Sequence, residues 1–135
     1  MKKTKINIAS DFILFGIVSD KNNYALLSQI NTQLGFNFSQ KENLKIIEKN
    51  NEKQFTVFEY FDECNKLRYR FLNNYSENGY LIPKLKIINF FIQIYNDVSD
   101  DFKQDLLAKL KNIKSILIVS EIEKKHYKKN KNLYY

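Results

Sequence analysis

Cysteine is nearly missing from this sequence: Cys64 is the only one in 135 residues. No intramolecular disulfide framework can form, and a lone thiol fits a reducing compartment. Glycine is almost as scarce. Gly16, Gly35 and Gly79 are too few and too scattered for a phosphate-cradling loop of the P-loop or dinucleotide type. One Cys and one His cannot build a structural zinc site, and no Gly-x-Ser-x-Gly elbow occurs. Asp62 and Glu63 are neighbours whose side chains point apart, which makes a poor carboxylate dyad. His126 lies in a Lys-rich tail without an orienting partner and reads as a solvated surface residue rather than a general base. No catalytic, cofactor-binding or metal site is expected, so the chain reads as a non-enzyme.

Long hydrophobic runs are lacking too. The stretch Phe12 to Val18 follows a basic start, but Asp11 and Asp20 bracket it and no small-x-small cleavage site appears. It is far shorter than the roughly 20 residues a membrane-spanning helix needs. The expectation is a cytoplasmic protein that does not enter the membrane.

Apolar and aromatic residues are plentiful. Hydrophobic residues at 44% and aromatics at 15% exceed what a disordered chain carries. The length supports one domain spanning residues 1–135, which buries roughly 68–70% of its unfolded surface and needs no covalent staple. Lys, Asn and Ile contribute 20, 17 and 16 residues. Their codons are AT-rich, so genome composition explains the net charge of +7 without selection for a basic surface. That charge still permits contact with an anionic partner.

Residues 11–19 (DFILFGIVS) are short, β-branched and aromatic, and read as a buried strand. A helix is predicted over 23–34, capped by Asn22 or Asn23, with Leu27, Ile30 and Leu34 in a stripe and Gly35 at its exit. A structureless stretch over 36–54 would be unusually long, and Leu44, Ile46 and Ile47 suggest a short edge strand within it. Residues 55–62 and 67–73 read as a hairpin around Glu63 to Lys66. Its second strand alternates Leu67, Tyr69 and Phe71 with Arg68 and Arg70. Asn73 to Gly79 is a polar turn, Pro83 starts an extended segment, and 86–95 is a central strand. Ser99 caps a second helix that carries Phe102, Leu106, Leu110 and Ile113, and 115–122 is the last strand. The order β-α-(β)-β-β-β-α-β predicts an α+β fold, with two helices on a largely antiparallel sheet of about five or six strands.

The run Leu81-Ile82-Pro83-Lys84-Leu85-Lys86-Ile87-Ile88-Asn89-Phe90 resembles the signature of the IPExxxVDY family of small Bacteroidetes proteins. The resemblance extends to the opening strand and helix, to FTVFEYFDE and to the closing Lys-Asn-Leu-Tyr-Tyr. Ile82 and Pro83 match, and Ile88 stands for Val. Lys84 replaces Glu, Asn89 replaces Asp and Phe90 replaces Tyr, giving IPKxxxINF. These departures remove any acid–base groups the motif would supply. Either the motif is structural in the family or this member has lost its activity. The simpler reading is a Pro-led approach to a central strand whose aromatic packs in the core, and the resemblance implies no known reaction, cofactor or ligand.

Two stretches carry candidate contacts. Lys124, Lys125, Lys128, Lys129 and Lys131 crowd the tail over 124–135, flanked by Tyr127, Tyr134 and Tyr135. They suit an RNA-contacting arm, or a tail whose apolar end docks on the body. Arg68 and Arg70, the only arginines, share a strand face that Phe58 and Tyr60 would flank in a single-strand RNA platform. The plainer alternative is cross-strand pairing with Glu59. The expected function is a protein-interaction module, with RNA binding as the alternative and an edge-paired homodimer as a further expectation.

Overall fold

The computed structural model describes residues 11–96 and 98–134; the basic start over 1–10 and Tyr135 lie outside it. Six antiparallel strands form the main sheet, in the spatial order β10-β1-β9-β6-β5-β2. They are β1 (Phe12–Ser19), β2 (Ser39–Gln40), β5 (Val57–Asp62), β6 (Leu67–Asn73), β9 (Phe90–Tyr95) and β10 (Ile116–Glu121). Two small hairpins, β3 (Leu44–Glu48) with β4 (Asn51–Phe55) and β7 (Tyr75–Ser76) with β8 (Gly79–Tyr80), stand outside the sheet. The α+β expectation holds, with two helices and six strands.

Both helices sit where their caps and stripes place them. In α1 (Asn23–Leu34), the Asn22 side chain accepts the Ala25 N–H at 2.8 Å, and Gly35 leaves with φ +71°, a conformation that costs a residue without Cβ nothing. In α2 (Asp100–Lys111), Ser99 accepts the Phe102 N–H at 3.1 Å, with Asp100 and Asp101 at the positive end of the dipole.

Strand alternation divides the apolar residues between two cores. Phe15, Ile17, Phe58, Tyr69, Phe71, Phe90, Ile92 and Ile94 face α1 and α2. The opposite face presents Leu14, Val57, Leu72 and Phe91, covered by Phe55 and Ile46 of the β3–β4 hairpin, by Leu81 and Ile82, and by Tyr127 and Leu133 of the tail. The chain is thus three layers deep. The end of the tail docks: Leu133 is fully buried, and Phe12 lies 5.3 Å from the Tyr127 ring and 4.9 Å from that of Tyr134.

Three boundaries differ from the sequence expectation. Residues 36–54 hold more than one edge strand: β2 extends the main sheet beside β5, and β3 and most of β4 form a separate hairpin. Its turn, Lys49-Asn50, has φ values of 48° and 67° and lacks the glycine that usually marks such a turn. The run 55–62 is divided, because Phe55 closes β4 and Val57 opens β5. The strand expected over 86–95 begins only at Phe90, and Pro83–Leu85 form a turn of 3-10 helix instead of an extended segment. Asn74 causes this curl. Its side-chain amide donates to the Leu85 and Ile88 carbonyls, each at 2.9 Å, and its carbonyl oxygen accepts the Ile82 N–H at 2.9 Å.

Burial of tyrosines makes the fold sensitive to alkaline pH. Burial pushes the Tyr69 and Tyr95 phenols up from their ordinary range, and that of Tyr127 up to about 12. A raised phenol binds its proton more tightly folded than unfolded, so stability is intact below pH 10 and falls as pH climbs toward the folded value. In urea melts each such tyrosine is expected to contribute a decline of about 1.4 kcal/mol per pH unit within that window. Tyr127→Phe is expected to remove its share of the slope while leaving the slope below pH 9 unchanged.

Candidate binding groove

The arginine surface is not the platform the sequence suggests. Cross-strand register pairs Phe58 with Phe71 and Tyr60 with Tyr69, which sends both aromatics to the helix-covered face. Arg68 and Arg70 emerge on the opposite face beside Glu59. Arg68 forms an ion pair with Glu59 at 2.9 Å and lies over the Tyr95 ring at 4.4 Å. Arg70 is buried, and its Nε donates to Gln93 Oε1 at 2.9 Å. The same Gln93 oxygen accepts the Tyr95 hydroxyl, and its amide donates to the Leu133 carbonyl at 2.6 Å. Arg70 therefore anchors a buried polar network beneath the tail, with Arg68 at its margin, and the Arg-aromatic platform is corrected on register: side chains of opposite parity cannot share a face.

The motif residues play structural parts, with one exception. Ile82 is buried under the Asn74 oxygen, and Phe90 stacks on Phe71 with ring centroids 5.1 Å apart. Ile88 packs against the second core, where Gly16 leaves room for it: a Cβ there would lie 3.2 Å from Ile88 and 2.8 Å from Ile122. Asn89 terminates β1, its side-chain oxygen accepting the Ser19 N–H at 2.9 Å. An Asp would accept the same bond, so the substitution costs this contact nothing. Pro83 opens the 3-10 turn, and Lys84 after it is exposed.

Lys84 belongs instead to a groove of about 590 Å³ between the β3–β4 hairpin, the 81–84 turn and the tail. Lys45 and Lys53 come from the hairpin, Lys84 from the turn, and Lys125, Lys129 and Lys131 from the tail, with His126 beside them. Glu48 is the only carboxylate among the lining residues, and it is already engaged with Lys53 at 3.1 Å. Ile46, Leu81 and Ile82 supply an apolar floor, and Asn130 ties the tail to it by donating to the Leu81 carbonyl at 2.9 Å. A low-dielectric floor under a predominantly basic rim concentrates the field that an anionic, partly apolar ligand would feel.

The fold splits the five tail lysines. Lys125, Lys129 and Lys131 face the groove, Lys124 lines a small depression beside Phe12 and Tyr127, and Lys128 lines neither. Tyr127 is only 4% exposed and Tyr134 half-buried, which takes Tyr127 out of reach of an unpaired base. Sequence reasoning missed Lys45 and Lys53, which lie some 30 or more positions away from the motif and join it only through the hairpin. Asn74 was hidden in an ordinary polar turn. Among the described residues no group of three or more His, Cys, Asp or Glu could hold a metal ion, and no helix is long and apolar enough to cross a membrane. No family model matches the sequence, and no curated protein is significantly similar to it.

Proposed function

We propose that this chain is a non-enzymatic interaction module whose groove binds an acidic, partly apolar segment of a protein partner. The observation that carries the reading is six lysines around an apolar floor, of which, among the described residues, only Lys53 and Lys125 are ion-paired, to Glu48 and Glu123. Single-stranded RNA would use the same lysines, but it also needs aromatic faces on which bases stack. Tyr80 and His126 carry the only aromatic rings among the lining residues, and Tyr127 is spent on Phe12. The resemblance to the IPExxxVDY family bears on the same surface, since Lys84 stands where that signature has Glu.

The test compares a capped Glu- and Val-containing peptide with a U-rich RNA oligonucleotide in anisotropy titrations. The double variant Lys84→Glu/Lys129→Glu, both exposed positions, is expected to weaken peptide binding about tenfold through lost and reversed charge pairs, with melting temperature unchanged. The reading fails if the peptide does not bind. It also fails if RNA binds more tightly, with a salt slope of about 0.7 per phosphate contact.

A further inference from the structure

We propose that the groove holds its acidic partner as an added β-strand on the free edge of β3. This rests on the reading of the groove as an acidic-protein site, and adds the mode of engagement. The β3–β4 hairpin is two-stranded, and positive φ at both Lys49 and Asn50 makes its turn the two-residue type I′ loop. Residues flanking such a loop, here Glu48 and Asn51, exchange both backbone hydrogen bonds, and bonded pairs recur at every second position. Ile46 with Lys53 and Leu44 with Phe55 are then bonded pairs, whereas Lys45 and Ile47 turn their N–H and C=O groups outward.

The opposite edge of the hairpin checks this parity. Glu52, the partner of Ile47, should aim its carbonyl outward from β4, and Asn78 Nδ2 donates to that carbonyl at 2.6 Å. On the β3 side, no backbone hydrogen bond among the described residues reaches Lys45 or Ile47. An open edge presents donors and acceptors that template pairing with another chain, and this one borders the basic groove.

An extended segment meets both requirements at once. Its backbone would pair with Lys45 and Ile47, and alternate side chains would fall to opposite sides. Apolar residues on one side reach Ile46, Leu81 and Ile82, and carboxylates on the other share a face with Lys45 at the edge of the basic groove. Charge argues against a second copy as the occupant, because two such grooves facing each other would bring their lysines together.

The probe is the capped peptide acetyl-Glu-Val-Glu-Val-Glu-Val-Glu-amide, together with two isomers N-methylated on alternate residues. One isomer is expected to bind at least about tenfold more weakly than the parent, having lost the amides that face β3, and the other to bind within about twofold. Hydrogen exchange at the Lys45 and Ile47 amides is expected to slow in the complex. Ile47→Pro, which removes an N–H that the β3–β4 ladder does not use, is expected to weaken binding about tenfold beyond Ile47→Ala. If both isomers bind like the parent while Lys84→Glu/Lys129→Glu still weakens them, strand addition is wrong and the acidic-groove reading stands. If the parent peptide does not bind, or RNA or a second copy occupies the groove in its place, both are wrong.

Discussion

Asn74→Ala is expected to lower the unfolding free energy by about 3–5 kcal/mol, because each buried group left without a partner costs about 1–3 kcal/mol. The residue is fully buried, and its side chain binds the Ile82 N–H and the Ile88 carbonyl and shares the Leu85 carbonyl with the Ile88 N–H. Its backbone adds two more bonds, donating to the Asn89 carbonyl at 3.0 Å and accepting from Leu81 at 2.8 Å. Alanine keeps these backbone bonds at the two ends of the 81–89 loop and deletes the side-chain bonds that hold the curl between them. Since Leu81 and Ile82 floor the groove, peptide binding should be lost together with stability. Asn74→Asp separates donor from acceptor: it keeps the bond from Ile82 but sets a carboxylate against two carbonyls. It should therefore be at least as destabilised as the alanine variant at pH 7, with a smaller deficit relative to the parent near pH 4, where a buried carboxyl takes up its proton. Chemical denaturation at the two pH values reads both effects, and a loss below about 1 kcal/mol for Asn74→Ala would show that water replaces the amide.

Leu133→Ala is expected to cost about 2–5 kcal/mol, the range for a leucine removed from a core that cannot collapse around the gap. Leu133 is fully buried although it lies close to the end of the described chain, packed in the core that holds Leu14, Phe91 and Tyr127. Its carbonyl accepts the Gln93 amide, so the same residue also holds the network through Arg70 and Tyr95. Deleting the whole tail from Tyr127 onward would compound the damage by uncovering Phe91 and Leu14. Tail deletion is therefore a poor test of the lysines, since it removes a layer of the protein along with the charge. Exposed reversals such as Lys129→Glu isolate the charge, and Leu133→Ala isolates the docking. The two should read out separately, the first in binding at unchanged melting temperature and the second in urea midpoint. A Leu133→Ala loss below about 1 kcal/mol would mean that the tail adds little to the fold.

How much of this was legible beforehand depends on the range of the interaction. Asn22, Gly35 and Ser99 act on backbone groups within three or four positions, so their caps could be read directly. The alternation of Leu67, Tyr69 and Phe71 against Arg68 and Arg70 likewise predicted β6 over its full length. The register between strands was not legible. A shift of one residue moves Phe58 and Tyr60 from one face to the other, and no local signal distinguishes the two pairings. The β3–β4 turn escaped because Lys49 and Asn50 hold positive φ without a glycine, a strain that the packed hairpin maintains.

The sequence alone determined the α+β class, the two capped helices and the core-forming strands, since each follows from periodicity or from contacts a few residues apart. It also determined a surplus of lysine without saying where that surplus would count. Tertiary structure decided the rest. Lys45, Lys53, Lys84 and the tail lysines converge only because the hairpin, the Asn74-held turn and the docked tail pack on one face of the sheet. Arg70 became an internal anchor, and Arg68 beside it pairs with Glu59 at the surface. Those outcomes depend on contacts between distant segments, which compete on burial and hydrogen-bond satisfaction across the whole molecule and leave no periodic trace in the chain.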